Sequence, residues 1–145
     1  MPTKEQSTGF DPQEILEIFR KQTNVTDRVD LQLDDTMEVW RKLKPLADLA
    51  ADNESLSVQE HAMLIGLGES TDGFARGIAS DQGLTLEERF YFEGAEHIRT
   101  LYWDRTTPET VKIYSIKRHS GLVDIPRFVY IPLDGDMNKL SFRME

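Results

Sequence analysis

The stretch Thr85-Leu86-Glu87-Glu88-Arg89-Phe90-Tyr91-Phe92-Glu93-Gly94-Ala95-Glu96-His97-Ile98-Arg99-Thr100-Leu101-Tyr102-Trp103 decides how this chain is read. Thr85 followed three residues later by Glu88 is a capping-box pair, the signature of a helix start. At about 100° per residue, Leu86, Phe90, Tyr91, Ala95, Ile98, Leu101 and Tyr102 cover about half of a helical circumference. The segment therefore reads as an amphipathic helix with a wide core-facing side. Phe92 and Trp103 fall opposite that side, at neighbouring wheel positions. They must meet a second buried surface or display an aromatic patch to a partner.

Towards the N-terminus the helical signals continue. Asp11, Pro12 and Glu14 form a cap, a first-turn proline and a returning carboxylate, ahead of Ile15, Leu16, Ile18 and Phe19. Val29, Leu31 and Leu33 alternate with polar residues, the period of a half-buried strand. Asp35 with Glu38 opens a segment in which Met37, Trp40, Leu43, Leu46 and Ala50 recur at helical spacing, with a kink or break expected at Pro45. Ser57 with Glu60 starts a nearly apolar helix through Leu67, ended by Gly66 and Gly68. Ser70 can cap a further short helix carrying Phe74 and Ile78, where Gly73 and Gly77 leave a flat stripe for close packing.

Towards the C-terminus the pattern breaks at Thr106, Thr107 and Pro108. Thr110–Arg118 and Leu122–Pro132 are rich in β-branched and aromatic residues and read as a hairpin, its second strand either interrupted at Pro126 and Pro132 or turning those positions away from a partner. Asp134 and Gly135 form a turn, and Lys139–Met144 can add a third strand. The fold expected is α+β: an N-terminal multi-helix body over residues 11–104, followed by a C-terminal antiparallel β-meander of two to three strands over 110–144. Residues 1–10 read as a flexible arm, and 11–145 as a single domain.

Charge follows the same border. Residues 1–109 hold 11 Lys and Arg against 22 Asp and Glu, whereas residues 110–145 hold 6 against 4; the whole chain of 145 residues carries a net charge of -9. An acidic body repels nucleic acid and anionic membranes, so direct nucleic-acid binding is disfavoured and no membrane partner is expected. With no cysteine, disulfides and thiolate metal sites are excluded. The polar N-terminus and the lack of a long apolar run point to a cytoplasmic protein.

Candidate chemistry is sparse. Glu93, Glu96 and His97, with Glu60 and His61, gather carboxylates and imidazoles at near-helical spacing, but Gly94 stands where a Glu-x-x-His metal motif needs its carboxylate. No metal and no cofactor is expected. The run from Gly66 to Gly73 lacks the lysine of a phosphate loop and carries Glu69 and Asp72, which repel phosphate. Lys112, Lys117, Arg118 and Arg127, interleaved with Tyr114, Phe128 and Tyr130, suggest a single-strand nucleic-acid platform that the acidity of the chain opposes; a solvated sheet face is the simpler reading.

Two functional readings follow. The first is a small acidic module that binds another protein with a basic surface, as an inhibitor, immunity or regulatory adaptor protein, through its acidic helices and Phe92, Trp103, Glu93 and Glu96. A homo-oligomer would use the same aromatic residues. The second is a small-ligand sensor or enzyme, with a pocket between the last helix and the C-terminal sheet lined by His61, His97 and Tyr114.

Overall fold

The computed structural model describes residues 10–23, 28–64, 75–92, 94–119, 122–123 and 126–144. Helix α1 (Pro12–Thr23) starts as its sequence dictates: the Asp11 carboxylate accepts the Gln13 amide at 3.1 Å and the Glu14 amide at 3.5 Å. Its apolar side, Ile15, Leu16 and Phe19, is buried together with Phe10, which closes the segment read as an arm. The alternation at Val29 and Leu31 forms β1 (Arg28–Leu31), whereas Leu33, read as its continuation, is the first residue of the next helix.

Helix α2 (Leu33–Ala51) starts earlier than the Asp35–Glu38 box suggests. Its N-cap, Gln32, supplies a carbonyl that accepts both the Thr36 amide and the Thr36 hydroxyl at 2.9 Å. The helix runs through Pro45 as one element. Pro45 faces solvent, so the carbonyl deprived of its amide partner can be hydrated. Helix α3 (Val58–Leu64) is opened by a reciprocal capping box: Ser57 Oγ accepts the Glu60 amide at 3.1 Å, and Glu60 Oε1 accepts the Ser57 amide at 3.0 Å. The glycine run from Gly66 to Gly73, and the helix expected to start near Ser70, lie largely outside the described residues.

From Ala75 onward the described chain is strand. β2 (Ala75–Ser80), β3 (Gly83–Phe92), β4 (Ala95–Asp104), β5 (Thr110–His119), β6 (Leu122–Val123), β7 (Arg127–Pro132) and β8 (Ser141–Met144) follow in order, with a 3-10 turn at Met137–Lys139. They join β1 in one antiparallel sheet of order β1-β2-β3-β4-β5-β7-β8, with the short β6 alongside β5. The C-terminal segments do not form a separate two- to three-strand meander: the stretch read as one strand over Leu122–Pro132 is β6 and β7, Lys139 closes the 3-10 turn ahead of β8, and all of them extend the sheet that begins at β1. The multi-helix body over 11–104 does not form: the protein is mostly sheet, with a helix-rich N-terminal part.

The correction centres on Thr85–Trp103, which is a ten-residue hairpin pair rather than a helix. Gly83 faces Asp104 and Phe92 faces Ala95 in register, and Gly94 takes a positive φ of 78° between the strands. Its residues are also strand formers, rich in Thr, Tyr, Phe, Ile and Trp. Apolar residues occur on both faces of this hairpin, which let them fill a helical wheel. Ile78, assigned to a short helix, lies on β2, and the Cβ of any residue replacing Gly77 would come within 2.5 Å of Leu86 Cδ2.

Side chains alternate across the sheet. One face presents Leu84, Leu86, Leu101, Trp103, Val111, Ile113, Val129 and Ile131, all buried with Leu16, Trp40, Leu43 and Leu46 of the helices. Trp103 is 2 % exposed, and its Nε1 donates to the Pro108 carbonyl at 3.1 Å. The sequence reading set it on an outward patch; with the helix replaced by β4, it is a core residue.

Among these apolar residues lies a fully buried ion pair. Arg99 Nε donates to Glu88 Oε1 at 2.9 Å, and Arg99 Nη1 reaches the Ala62 and Met63 carbonyls at 3.3 and 3.1 Å, near the end of α3. The guanidinium thus donates to carbonyls in the last described turn of α3, where its charge suits the negative end of the helix dipole. The Phe90 ring lies 3.9 Å from Arg99 Cζ. Burial pulls the Arg99 pKa below its ordinary value, and Glu88 opposes that shift.

Two stability outcomes follow from this packing. Trp103→Ala should lower unfolding free energy by about 3–5 kcal/mol in chemical denaturation. Arg99→Met should cost about 3–5 kcal/mol by leaving Glu88 buried opposite an apolar chain, and adding Glu88→Leu should recover part of that loss. A double variant no more stable than the single one would show that the pair is not the reason for the cost.

Candidate ligand groove on the open sheet face

The second sheet face carries none of the described helices. It presents Tyr102 of β4, Lys112 and Tyr114 of β5, Phe128 and Tyr130 of β7, and Arg143 of β8, because these positions alternate with the buried residues of the same strands. Register makes them neighbours: Lys112 stands directly between Tyr102 and Tyr130, Tyr114 beside Phe128, and Phe128 beside Arg143.

Their rings form a ladder. Tyr102 and Tyr114 stack with centroids 5.9 Å apart and planes within 12°, and Tyr114 leans on Phe128 at 5.4 Å. Lys112 Nζ lies 5.7 Å from the Tyr102 ring and 5.3 Å from the Phe128 ring, while Arg143 Cζ lies 4.3 Å from Tyr130. Cations over ring faces are attracted by the ring quadrupole. Among the described residues Lys112 forms no ion pair.

Over this floor runs a groove of about 1080 Å³, whose lining includes Ile78, Thr85, Tyr102, Lys112, Tyr130 and Arg143. Its rim is built from turns held by side chains. Asp104 accepts the Thr106 amide at 2.9 Å and the Thr106 hydroxyl at 2.8 Å, and these bonds lower its pKa. Asp134 accepts Lys139 Nζ and the Asp136 amide, both at 2.8 Å. Helix α1 braces the rim from behind, through the Arg20–Asp81 ion pair and an Arg105–Gln13 hydrogen bond of 3.0 Å. The hydroxyl of Tyr102 is held above the ordinary phenol range, first by burial, then by Tyr114 and Glu87. It remains a donor at neutral pH.

The structure scatters the residues chosen from sequence. Glu96 is half-buried on the open face, between Arg89 at 2.9 Å and Arg118 at 3.7 Å. His61 is exposed on α3, whereas His97 is buried on the helix-covered face, its ring stacked on Phe90 at 4.8 Å. Tyr114 lies on the opposite face from His97, so His97 and Tyr114 do not share a pocket. Glu93 and the Phe92 side chain lie outside the described residues. The pocket expected between a last helix and the sheet loses its helix; the groove lies instead on the sheet's free face.

Sequence reasoning grouped Lys112, Lys117, Arg118 and Arg127 with Tyr114, Phe128 and Tyr130; the register turns Lys117 and Arg127 to the helix-covered face and adds Tyr102, which that reading placed in a helix. The alternation of Leu101 and Trp103 around Tyr102 was the available signal. Among the described residues no group of three His, Asp or Glu could hold a metal, and no helix is long and apolar enough to cross a membrane. No family model, curated protein or solved structure matches the chain.

The elevated Tyr102 pKa has a direct readout. Phenolate absorbance followed from pH 9 upward should contain a component titrating above the ordinary tyrosine pKa of about 10, absent from Tyr102→Phe. An unchanged high-pH component in that variant would remove the assignment.

Proposed function

We propose that this protein is a binding module that holds a small ligand with a planar apolar body in the groove of its open sheet face. The observation that carries this reading is the aromatic floor: Tyr102 and Tyr130 line a groove of about 1080 Å³ beside Lys112 and Arg143. Small-molecule sites are concave, mostly apolar clefts of roughly 300–1,000 Å³ with a few placed polar groups; the groove is slightly larger and more polar, with Asp81, Asp104, Glu109 and Lys139 in its lining. Binding without chemistry is favoured because His61, His97 and Tyr114 do not converge there.

A nucleic-acid platform fits less well. The phosphates of a strand would pass Asp81, Asp104 and Glu109, which line the groove. The net charge of -9 opposes a polyanion as well.

The helical layer supports a second reading, docking of a basic protein as an inhibitor, immunity or adaptor function would require. Asp34 and Asp35 are exposed beside Leu33, which is 42 % exposed, at the start of α2. Such an association should weaken as salt is added and be lost on Asp34→Asn with Asp35→Asn.

For the groove, the neutral fluorophore N-phenyl-1-naphthylamine is a suitable probe. It should bind the full chain with enhanced emission, and Tyr102→Ala should weaken it about tenfold, or about 1.4 kcal/mol. Tyr91→Ala, at a position 64 % exposed and away from the groove, should leave it unchanged. Binding indifferent to Tyr102→Ala would refute the groove as the site.

A further inference from the structure

We infer that the groove selects a monoanion, a planar apolar molecule bearing one carboxylate, phosphate or sulfonate group, and that Lys112 is the residue that recognises the charge. This inference rests on the groove reading and adds the chemical class of its ligand.

The charges around the groove divide unequally between committed and available. Asp81 pairs with Arg20, Asp104 is held by the Thr106 amide and hydroxyl, and Lys139 pairs with Asp134. Lys112 has no such partner among the described residues. The residue is half-buried, and its ammonium lies near two aromatic rings, which attract the cation without accepting its N–H donors in the plane of a carboxylate. An ammonium beside ring faces has fewer water neighbours than one in open water, so an anion that reaches it meets less competition from solvent.

Position makes the lysine selective. Lys112 sits between Tyr102 and Tyr130 in the strand register, so an anionic group at its ammonium leaves the ligand body on the tyrosine rings. The hydroxyl of Tyr102 stays protonated and adds a second donor on the same floor. The size of the anion is limited by the rest of the molecule. At a net charge of -9, a polyanion is repelled along its whole length, whereas one charge feels mainly what lies within a Debye length of about 8–10 Å. An available cation on an acidic protein therefore favours a single-charge ligand over nucleic acid or an anionic membrane.

The test compares two fluorophores with the same aromatic body: 8-anilinonaphthalene-1-sulfonate, which carries one sulfonate, and the neutral N-phenyl-1-naphthylamine. With the full chain, the sulfonate should bind at least tenfold more tightly. Lys112→Gln should bring the ratio of the two affinities close to one while leaving the neutral probe within twofold, and Lys112→Arg should keep most of the preference. Lys139→Gln, an exposed lysine committed to Asp134, should keep the ratio. Circular dichroism of each variant confirms that the sheet is retained. Equal affinities in the unaltered protein, or a ratio unmoved by Lys112→Gln, would overturn the inference while leaving the groove reading intact. Failure of both probes to bind would overturn the groove reading and the inference with it.

Discussion

The ten-residue register between β3 and β4 is the constraint on which the rest depends. Gly83 opposite Asp104 sets it, and the approach there is too close for any other residue: a Cβ would stand 1.9 Å from the Trp103 carbonyl oxygen, at a φ of 149°. Because strand side chains alternate, a slip by one position would exchange the two faces. Leu86, Leu101 and Trp103 would leave the core, Glu88 and Arg99 would lose their dry environment, and Tyr102 would turn away from the groove. The same register thus defines the core, the buried ion pair and the candidate site.

The two faces use charge in opposite ways. On the covered face, Arg99 and Glu88 neutralise each other at zero exposure, and the arginine also serves the carbonyls at the end of α3. Such a pair contributes little net stability over an apolar replacement, but it is demanding about geometry, since either partner alone would be a buried charge. On the open face, Arg76 pairs with Glu87, and Arg89 with Glu96, across neighbouring strands. These exposed pairs are each worth little. Their effect is to neutralise the β2 to β4 side of the open face, beside the aromatic ladder that carries Lys112 and Arg143.

Much of the local structure was legible in sequence. The Asp11 cap and the Ser57 and Glu60 box rest on interactions within a few residues and form as read; Val29 and Leu31 are in a strand, but Leu33 joins α2, and the C-terminal strands form with other bounds as part of the larger sheet. The misreading of Thr85–Trp103 has a physical cause. A wheel tests whether apolar residues can share one side, and in a sheet with aromatic residues on both faces they can do so by coincidence. The Thr85 and Glu88 spacing fits a cap equally well, yet Glu88 faces Arg99, 11 positions away. Gly94, at the middle of the supposed helix, was the contrary signal, because glycine weakens a helix interior and suits a turn of positive φ.

By itself the sequence determined the chain's acidity, its lack of thiol chemistry, and those helix starts and strands whose signals are contained in a few neighbouring residues. Tertiary structure alone decided that Lys112 lies between Tyr102 and Tyr130, that His97 and Tyr114 are on opposite faces, and that Trp103 is core. The reason is that antiparallel pairing joins residues far apart in the chain, and the face each side chain takes depends on register, a property of two strands together that neither strand's own sequence contains.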